Sequence, residues 1–251
     1  MTPTPLPALD AHAHIAPDVT PPQIAALGDA LVLSMTRSLA EAARVKNLTS
    51  NTLLWGIGLH PGVAAAREGW NPQQFQALLP SFALVGEIGL DRRGGDWARQ
   101  RTIFDEILSI IKDEPVLVSV HSSGAASEVV SHLRSSDVRG TILHWFTGDE
   151  ADVERALDTG SYFSVNAAMT LEQVGRLPHD RVLSETDFPA RKVRARKPAD
   201  IARVELLLSQ AWGVSPQEVR AKTWWNLRTL SEQTGAIERM PEALADRLLY
   251  L

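Results

Sequence analysis

The chain has 251 residues, 44% of them hydrophobic and 22% charged, with a formal net charge of −5 and no cysteine. The missing cysteine excludes disulfides, zinc-thiolate sites, iron–sulfur clusters and a Cys nucleophile, so any metal must rest on His and carboxylates. The negative charge argues against broad electrostatic coating of nucleic acid, yet leaves room for a local basic rim.

Short apolar runs recur along the chain with helical patterning between them. The runs read as strands are "ALDAHAHI" (8–15), "ALVLSM" (30–35), "LLWGIGL" (53–59), "ALVGEIGL" (83–90), "PVLVSVH" (115–121), "GTILHWF" (140–146), "SYFSVN" (161–166) and "RVLSETD" (181–187). Most are continuously apolar rather than alternating, as parallel strands covered on both faces should be. Between them, "SLAEAARVKN" has Ser38 as N-cap, and "NPQQFQALL" has Asn71 as cap with Pro72 in the first turn. "WARQRTIFDEILSIIK" sets Ile103, Ile107, Ile110 and Ile111 on one stripe. "AASEVVSHLRSS" follows, then "DEADVERALDTG" with Asp149 as cap and Gly160 as stop.

Eight strands alternating with helices predict an α/β fold of the (β/α)8 TIM-barrel type in one domain spanning 1–251. Three C-terminal helical stretches, "PADIARVELLLSQAWG", "SPQEVRAKTWWNLRTLSEQTG" and "MPEALADRLLYL", should complete the outer ring and close the back. No run approaches the roughly 20 apolar residues of a membrane span. The start, "MTPTPLPALD", lacks a basic region followed by an apolar core. A soluble cytoplasmic protein with no membrane partner is expected.

His12 and His14 stand two apart in the first strand, where side chains at i and i+2 point to one side. Taken alone, the pair reads equally well as two exposed histidines. Glu87 lies near the end of the fourth strand, His121 ends the fifth, His144 lies near the end of the sixth, and Asp187 ends the eighth. Carboxyl ends of the strands form the active-site face of a TIM barrel, so these six residues should converge. A carboxylate at Glu87, flanked by Gly and Ile in a buried strand, is costly without a cation or several hydrogen bonds. His132, inside a helix, and His179, in "LPHDR", read as surface or structural residues.

Four imidazoles and two carboxylates suit Zn, Mn or Fe, and Mg less well. Six ligands exceed the three that an open catalytic zinc keeps. Two divalent ions sharing a carboxylate account for them better, and such a pair suits hydrolysis of a phosphodiester.

In order along the chain, "DAHAHI", "GIGLHPG", "VGEIGLD", "VHSSGA", "ILHWFTG" and "LSETDFP" resemble the motifs of the TatD family of metal-dependent deoxyribonucleases. The resemblance implies a hydrolase of ester bonds acting on DNA, with single strands as the expected form. It implies that His12 and His14 bind one metal beside Asp187, that His121 and His144 bind the second, and that Glu87 bridges. Glu87 and Asp187 would be catalytic, Asp187 orienting or deprotonating the attacking water. His60 would be a pocket histidine near the substrate phosphate, or a structural His before Pro61.

Three departures from the family pattern stand out. Ser123 and Gly124 replace its Arg and Asp after the strand-five His, so a phosphate contact is lost or moved. "RRGG" follows Asp91 where aromatic residues are usual. "ARKVRARKPAD" replaces a proline-rich loop after Pro189. That loop should rim the pocket with Arg191, Lys192 and Arg194, joined by Arg92 and Arg93, as a phosphate-binding surface. Its other reading is a solvated or partner-docking segment. Trp224 and Trp225, in "TWWNLRTL", should pack against the barrel. Two rivals remain open: the same metals hydrolysing an ester, amide, lactone or aminoacyl-tRNA bond, or a largely binding subunit with protein partners in a larger assembly.

Overall fold

A computed structural model describes residues 6–251; the first five residues of the N-terminal stretch read above lie outside the described residues. Eight parallel strands form one sheet in sequence order: β1 (Leu9–Ala13), β2 (Leu31–Met35), β3 (Leu53–Ile57), β4 (Leu84–Gly89), β5 (Leu117–His121), β6 (Thr141–His144), β7 (Tyr162–Val165) and β8 (Val182–Ser184). All but one of their residues are buried, His121 being half-buried, which is why the sequence shows apolar runs and not alternation. The sheet curls into a (β/α)8 barrel, closed where Ala13 bridges Phe188.

Asp10 secures this seam. Its carboxylate accepts hydrogen bonds from the Thr186 N–H (2.8 Å) and hydroxyl (2.6 Å) and from the Ala199 N–H (2.8 Å). Ser184 Oγ donates back to the Leu9 carbonyl at 2.6 Å.

The helices are α1 (Pro21–Ala25), α2 (Leu39–Val45), α3 (Ala64–Glu68), α4 (Pro72–Leu78), α5 (Trp97–Ile111), α6 (Ala126–Ser136), α7 (Glu150–Asp158), α8 (Leu171–Gly175), α9 (Ala202–Trp212), α10 (Pro216–Thr234) and α11 (Glu242–Leu249). The caps are the expected ones. Ser38, Asn71 and Asp149 each accept from the backbone N–H three residues on, at 3.2, 2.9 and 2.8 Å. Three short helices, α1, α3 and α8, were not among the expected elements. The buried face of α5 runs through Ile103, Phe104, Ile107, Leu108 and Ile111, leaving Ile110 only partly covered. α9 starts at Ala202, because the segment before it is held as a loop.

Two apolar cores result. An outer core lies between the strands and the helix ring. An inner core joins Leu9, Ala11, Leu31, Leu33, Met35 and Leu84 to Trp224, Leu227, Leu244 and Leu248, so α10 and α11 close the back of the barrel. Trp224 is buried and donates to the Pro7 carbonyl at 2.8 Å; Trp225 is half-exposed. Among the described residues no helix is long and apolar enough to cross a membrane.

The strand pattern is interrupted on the two strands that feed the site. On β1 the register shifts between Asp10 and Ala13, and on β4 between Val85 and Ile88. Leu9, Ala11 and Leu84 belong to the inner core, but Ala13 and Ile88 to the outer one. The extra residue reverses which positions face inward. His12, His14 and Glu87 thereby turn into the barrel mouth rather than into the helix layer.

Candidate metal centre

Glu87 is the hub. It is 1% exposed, and the imidazoles of His12, His14, His60, His121 and His144 surround its carboxylate. Oε2 lies 3.2 Å from His14 Nε2, 3.3 Å from His60 Nε2 and 3.9 Å from His12 Nε2. Oε1 lies 3.3 Å from His144 Nε2 and in contact with His121 Nδ1. Asp187 Oδ1 is 3.9 Å from both His12 Nε2 and His14 Nε2. Donors about 2.1 Å from a tetrahedral ion sit roughly 3.4 Å from one another, so these spacings suit a shared cation.

Glycine makes the geometry possible at two points. A Cβ on Gly58 would come within 2.2 Å of the Thr36 carbonyl oxygen and 2.4 Å of the Glu87 nitrogen. Gly89, at φ +133°, would place one 2.1 Å from the His121 oxygen. The backbones of β3, β4 and β5 close around the carboxylate only because these side chains are absent.

Hydrogen bonds on the far ring nitrogens fix what each histidine offers the centre. His14 Nδ1 donates to the Met35 carbonyl (3.3 Å), and His144 Nδ1 to Glu185 Oε1 (3.3 Å), which leaves both Nε2 atoms with a free lone pair in the neutral rings. Glu185 is itself held by Ser164 Oγ and by the Asn166 amide at 2.9 Å. His12 Nδ1 meets Ser119 Oγ at 2.8 Å. His121 is held between carboxylates, with Nε2 3.2 Å from Asp91 Oδ2. His60 differs. Its Nδ1 accepts from the Gly62 N–H at 2.9 Å, so the neutral ring carries its proton on Nε2 and is a donor, not a ligand.

The charges follow from burial against this crowd of partners. Burial pushes Glu87 up, but His60 and His121, the latter also hydrogen-bonded to Oε1, pull it well below the usual carboxylate range. Burial draws His121 down, yet the Glu87 charge and hydrogen bonds to Asp91 and Glu87 hold it up at about 9. Burial likewise opposes His144, which Glu185 and Glu87 raise well above its ordinary value. His12 is driven well below by burial and by His144. Burial takes His60 down to about 4, which keeps it neutral, and lifts Asp187 to about 6.

Two buried polar atoms have no partner here: His12 Nε2 and Glu87 Oε2. Unpaired buried polar groups are costly, and these two face one another across 3.9 Å. A divalent cation would satisfy both, and the sulfur-free donor set fits one. Three groups of donors lie within 4.8 Å of one another: His12 with His14 and Asp187, His12 with Glu87 and His144, and His60 with Glu87 and His121. The tautomer of His60 argues against a ligand role in the third.

The centre opens into a cleft of about 560 Å3. His14, His60, Glu87, His121, His144 and Asp187 form its floor, and Arg93, Arg191 and Lys192 its rim. Arg93 donates to Ser123 Oγ at 2.8 Å, standing over the position where an arginine is missing from the strand-five motif. Two of the expected rim residues lie elsewhere. Arg92 stacks on the Trp97 ring at 3.8 Å and pairs with Glu128 at 3.0 Å, which turns it from the cleft. Arg194 lines a neighbouring groove.

Sequence reasoning gave no role to Glu185, Asp91 or Trp145. Glu185 and Asp91 stand inside the quoted motifs, and a carboxylate in a run as buried as "LSETD" was a sign of a partner. Trp145 lines the cleft with its backbone at φ +41°, and Asp187 is at φ +48°. Left-handed backbone is unusual for such side chains and collects at functional sites. His132 and His179 take no part: His132 contacts Asp105, and His179 stacks on Trp212.

The comparisons with known proteins agree with this geometry. The sequence profile described as TatD related DNase matches residues 9–232. A Klebsiella pneumoniae protein named 3′-5′ ssDNA/RNA exonuclease TatD is 28% identical over 221 residues, 77% of this chain and 83% of its own length. A Haemophilus influenzae metal-dependent hydrolase is 27% identical over 171 residues, 60% of this chain and 65% of its own. The crystal structure of a TatD homologue from Escherichia coli K12 superposes with a TM-score of 0.76 at 25% identity, covering 89% of this chain and 97% of that one. The chain belongs to the TatD related DNase family.

Proposed function

We propose that this TatD-family hydrolase removes nucleotides from the end of a single nucleic-acid strand, using two divalent cations held in the barrel mouth. One observation carries the reading. Six metal-competent side chains from five strand ends face one point, and two of their buried atoms, His12 Nε2 and Glu87 Oε2, lack any other partner. Relatives named as 3′-5′ ssDNA/RNA exonucleases support a nucleic-acid substrate and a 3′ to 5′ direction. Against the ester and amide alternatives stands the cleft itself, whose cationic rim of Arg93, Arg191 and Lys192 suits a polyanion.

In this reading His12, His14 and Asp187 would hold one ion and His121 and His144 the other, with Glu87 within reach of both donor groups. Zn, Mn or Fe suits the imidazoles best. When bound, such a pair supplies Lewis-acid charge and lowers the pKa of water. The chain's own groups do the rest. Asp187, at the cleft floor, accepts a proton from the attacking water as its oxygen bonds to phosphorus. The P–O ester bond on the opposite side breaks, and the leaving oxygen is reprotonated from solvent. His60 donates its Nε2 proton as a hydrogen bond to a non-bridging phosphate oxygen, where charge builds. Glu185 and Asp91 keep His144 and His121 aimed. Trp145 offers a stacking surface for the terminal base.

Digestion of 3′- and 5′-labelled single-stranded DNA, with and without chelator, tests this. Stepwise release from the 3′ end, abolished by chelation and restored by Mn or Zn, is the expected result. Hydrolysis of an ester, amide or aminoacyl-tRNA with oligonucleotides left intact would overturn it.

A further inference from the structure

A second groove, of about 610 Å3, adjoins the metal cleft and shares Ala168, Arg191 and Lys192 with it. Arg194, Arg203 and Leu207 continue it away from the metals, along the loop after β8 and onto α9. We propose that this groove is a distinct binding site for the body of a single nucleic-acid strand whose end occupies the cleft. The inference rests on the phosphodiesterase reading and deepens it.

Charge is the first argument. Arg191, Lys192, Arg194 and Arg203 are all exposed, and among the described residues none of them forms an ion pair. The other two cations of the same loop are already engaged: Arg196 with Asp200 at 3.0 Å, and Lys197 with the Ala26 carbonyl at 2.9 Å. Asp200, whose charge also reaches Arg203, is thereby occupied by Arg196. The loop has sorted its charges, leaving the unpaired ones along the groove. On a chain of net charge −5 this is a local feature, not a general basic surface.

Rigidity is the second. Val193, 3% exposed, buries its side chain between the exposed Lys192 and Arg194 and so anchors the loop. The Ala190 N–H bonds the Asp187 carbonyl at 2.8 Å, tying the loop to a candidate metal ligand. Arg203 projects from a regular helix. With the backbone fixed this way, binding a phosphate orders the side chains but not the loop that carries them. Shape is the third. Ala167 and Ala168 leave one wall low, and Leu207 adds apolar surface, so a strand can lay its backbone on the cations and its bases on the wall.

The test separates binding from cleavage. Fluorescence anisotropy in chelator measures the Kd of a labelled single strand of about twelve nucleotides, against a trinucleotide and a duplex of the same sequence. Arg203→Glu and Arg194→Ser should each weaken the longer strand about five- to tenfold, leave the trinucleotide unchanged, and lower the salt slope by about 0.7 for each contact removed. Turnover of a small chromogenic phosphodiester by the metal-loaded variants should equal that of the parent. Unchanged Kd for the long strand, equal losses on both lengths, or equal affinity for the duplex would overturn the groove. Failure to hydrolyse any phosphodiester, with the length dependence of binding intact, would instead overturn the activity.

Discussion

The two ends of the barrel are built on opposite principles. At the back, Trp224, Leu227, Leu244 and Leu248 fill the barrel with apolar surface, and the one polar atom of Trp224 is matched to the Pro7 carbonyl. At the mouth, Glu87 and a ring of imidazoles are buried together, His12 stacked on His144 at 3.9 Å, yet His12 Nε2 and Glu87 Oε2 are left unmatched. The back end uses burial to gain stability. The mouth spends it on holding polar atoms where a cation can collect them. A residue in one end should therefore matter for folding and in the other for chemistry, with little overlap.

Substitution at the hub should expose the difference most sharply. Glu87→Gln keeps shape and removes the charge shared by the donors, so turnover should fall on the order of 10^3-fold or more, with loss of bound metal by elemental analysis. Its circular dichroism should match that of the parent. Trp224→Ala should do the converse. Emptying that site and orphaning the Pro7 carbonyl should cost about 3–5 kcal/mol in denaturant unfolding, while activity per folded molecule stays within about twofold of the parent, as expected where no contact is shared with the site. Comparable activity losses in the two variants would erase the distinction between the ends.

The sequence made the back and the strand ends legible for a simple reason. Strands covered on both faces must be continuously apolar, so a His or Glu within one is conspicuous. The eight runs correspond to the eight strands within a few residues, and the six ligand candidates fall at their ends. What escaped was of two kinds. Helices α1, α3 and α8 are five residues each, too short to show a 3.6-residue period. Loop residues carry no periodicity at all, so nothing in "DRRGG" told Arg92 from Arg93. The register shifts on β1 and β4 were also hidden, because they change the direction of a side chain without changing its neighbours in the text.

The comparison can be refined within the mouth. Glu185 stands outside the group of candidate donors; it fixes the tautomer of His144 and is held by Ser164 and Asn166. Glu185→Gln should lower metal affinity about 10- to 100-fold, measured by competition with a chelating indicator. Saturating metal should restore most of the turnover, which it would not do for Glu87→Gln. No change in metal affinity would show that Glu185 is only part of the seam between β6, β7 and β8.

The smallest contrast is between two adjacent arginines. Arg92 lies flat on Trp97 and pairs with Glu128, half-exposed, so it ties the loop after β4 to α5 and α6. Arg93, 80% exposed, leans over the cleft toward Ser123. Arg92→Ala should cost about 1 kcal/mol of stability through the lost stacking and ion pair, and leave KM alone. Arg93→Ala should leave stability alone and raise KM for oligonucleotides about three- to tenfold, with a shallower salt dependence, because a phosphate loses its cation. The double variant Arg93→Ala with Ser123→Arg then asks whether the charge belongs to the place or to the residue. Recovery of KM would show that Arg93 stands in for the arginine missing after His121. A further loss would show that the cleft depends on the path the guanidinium takes into it.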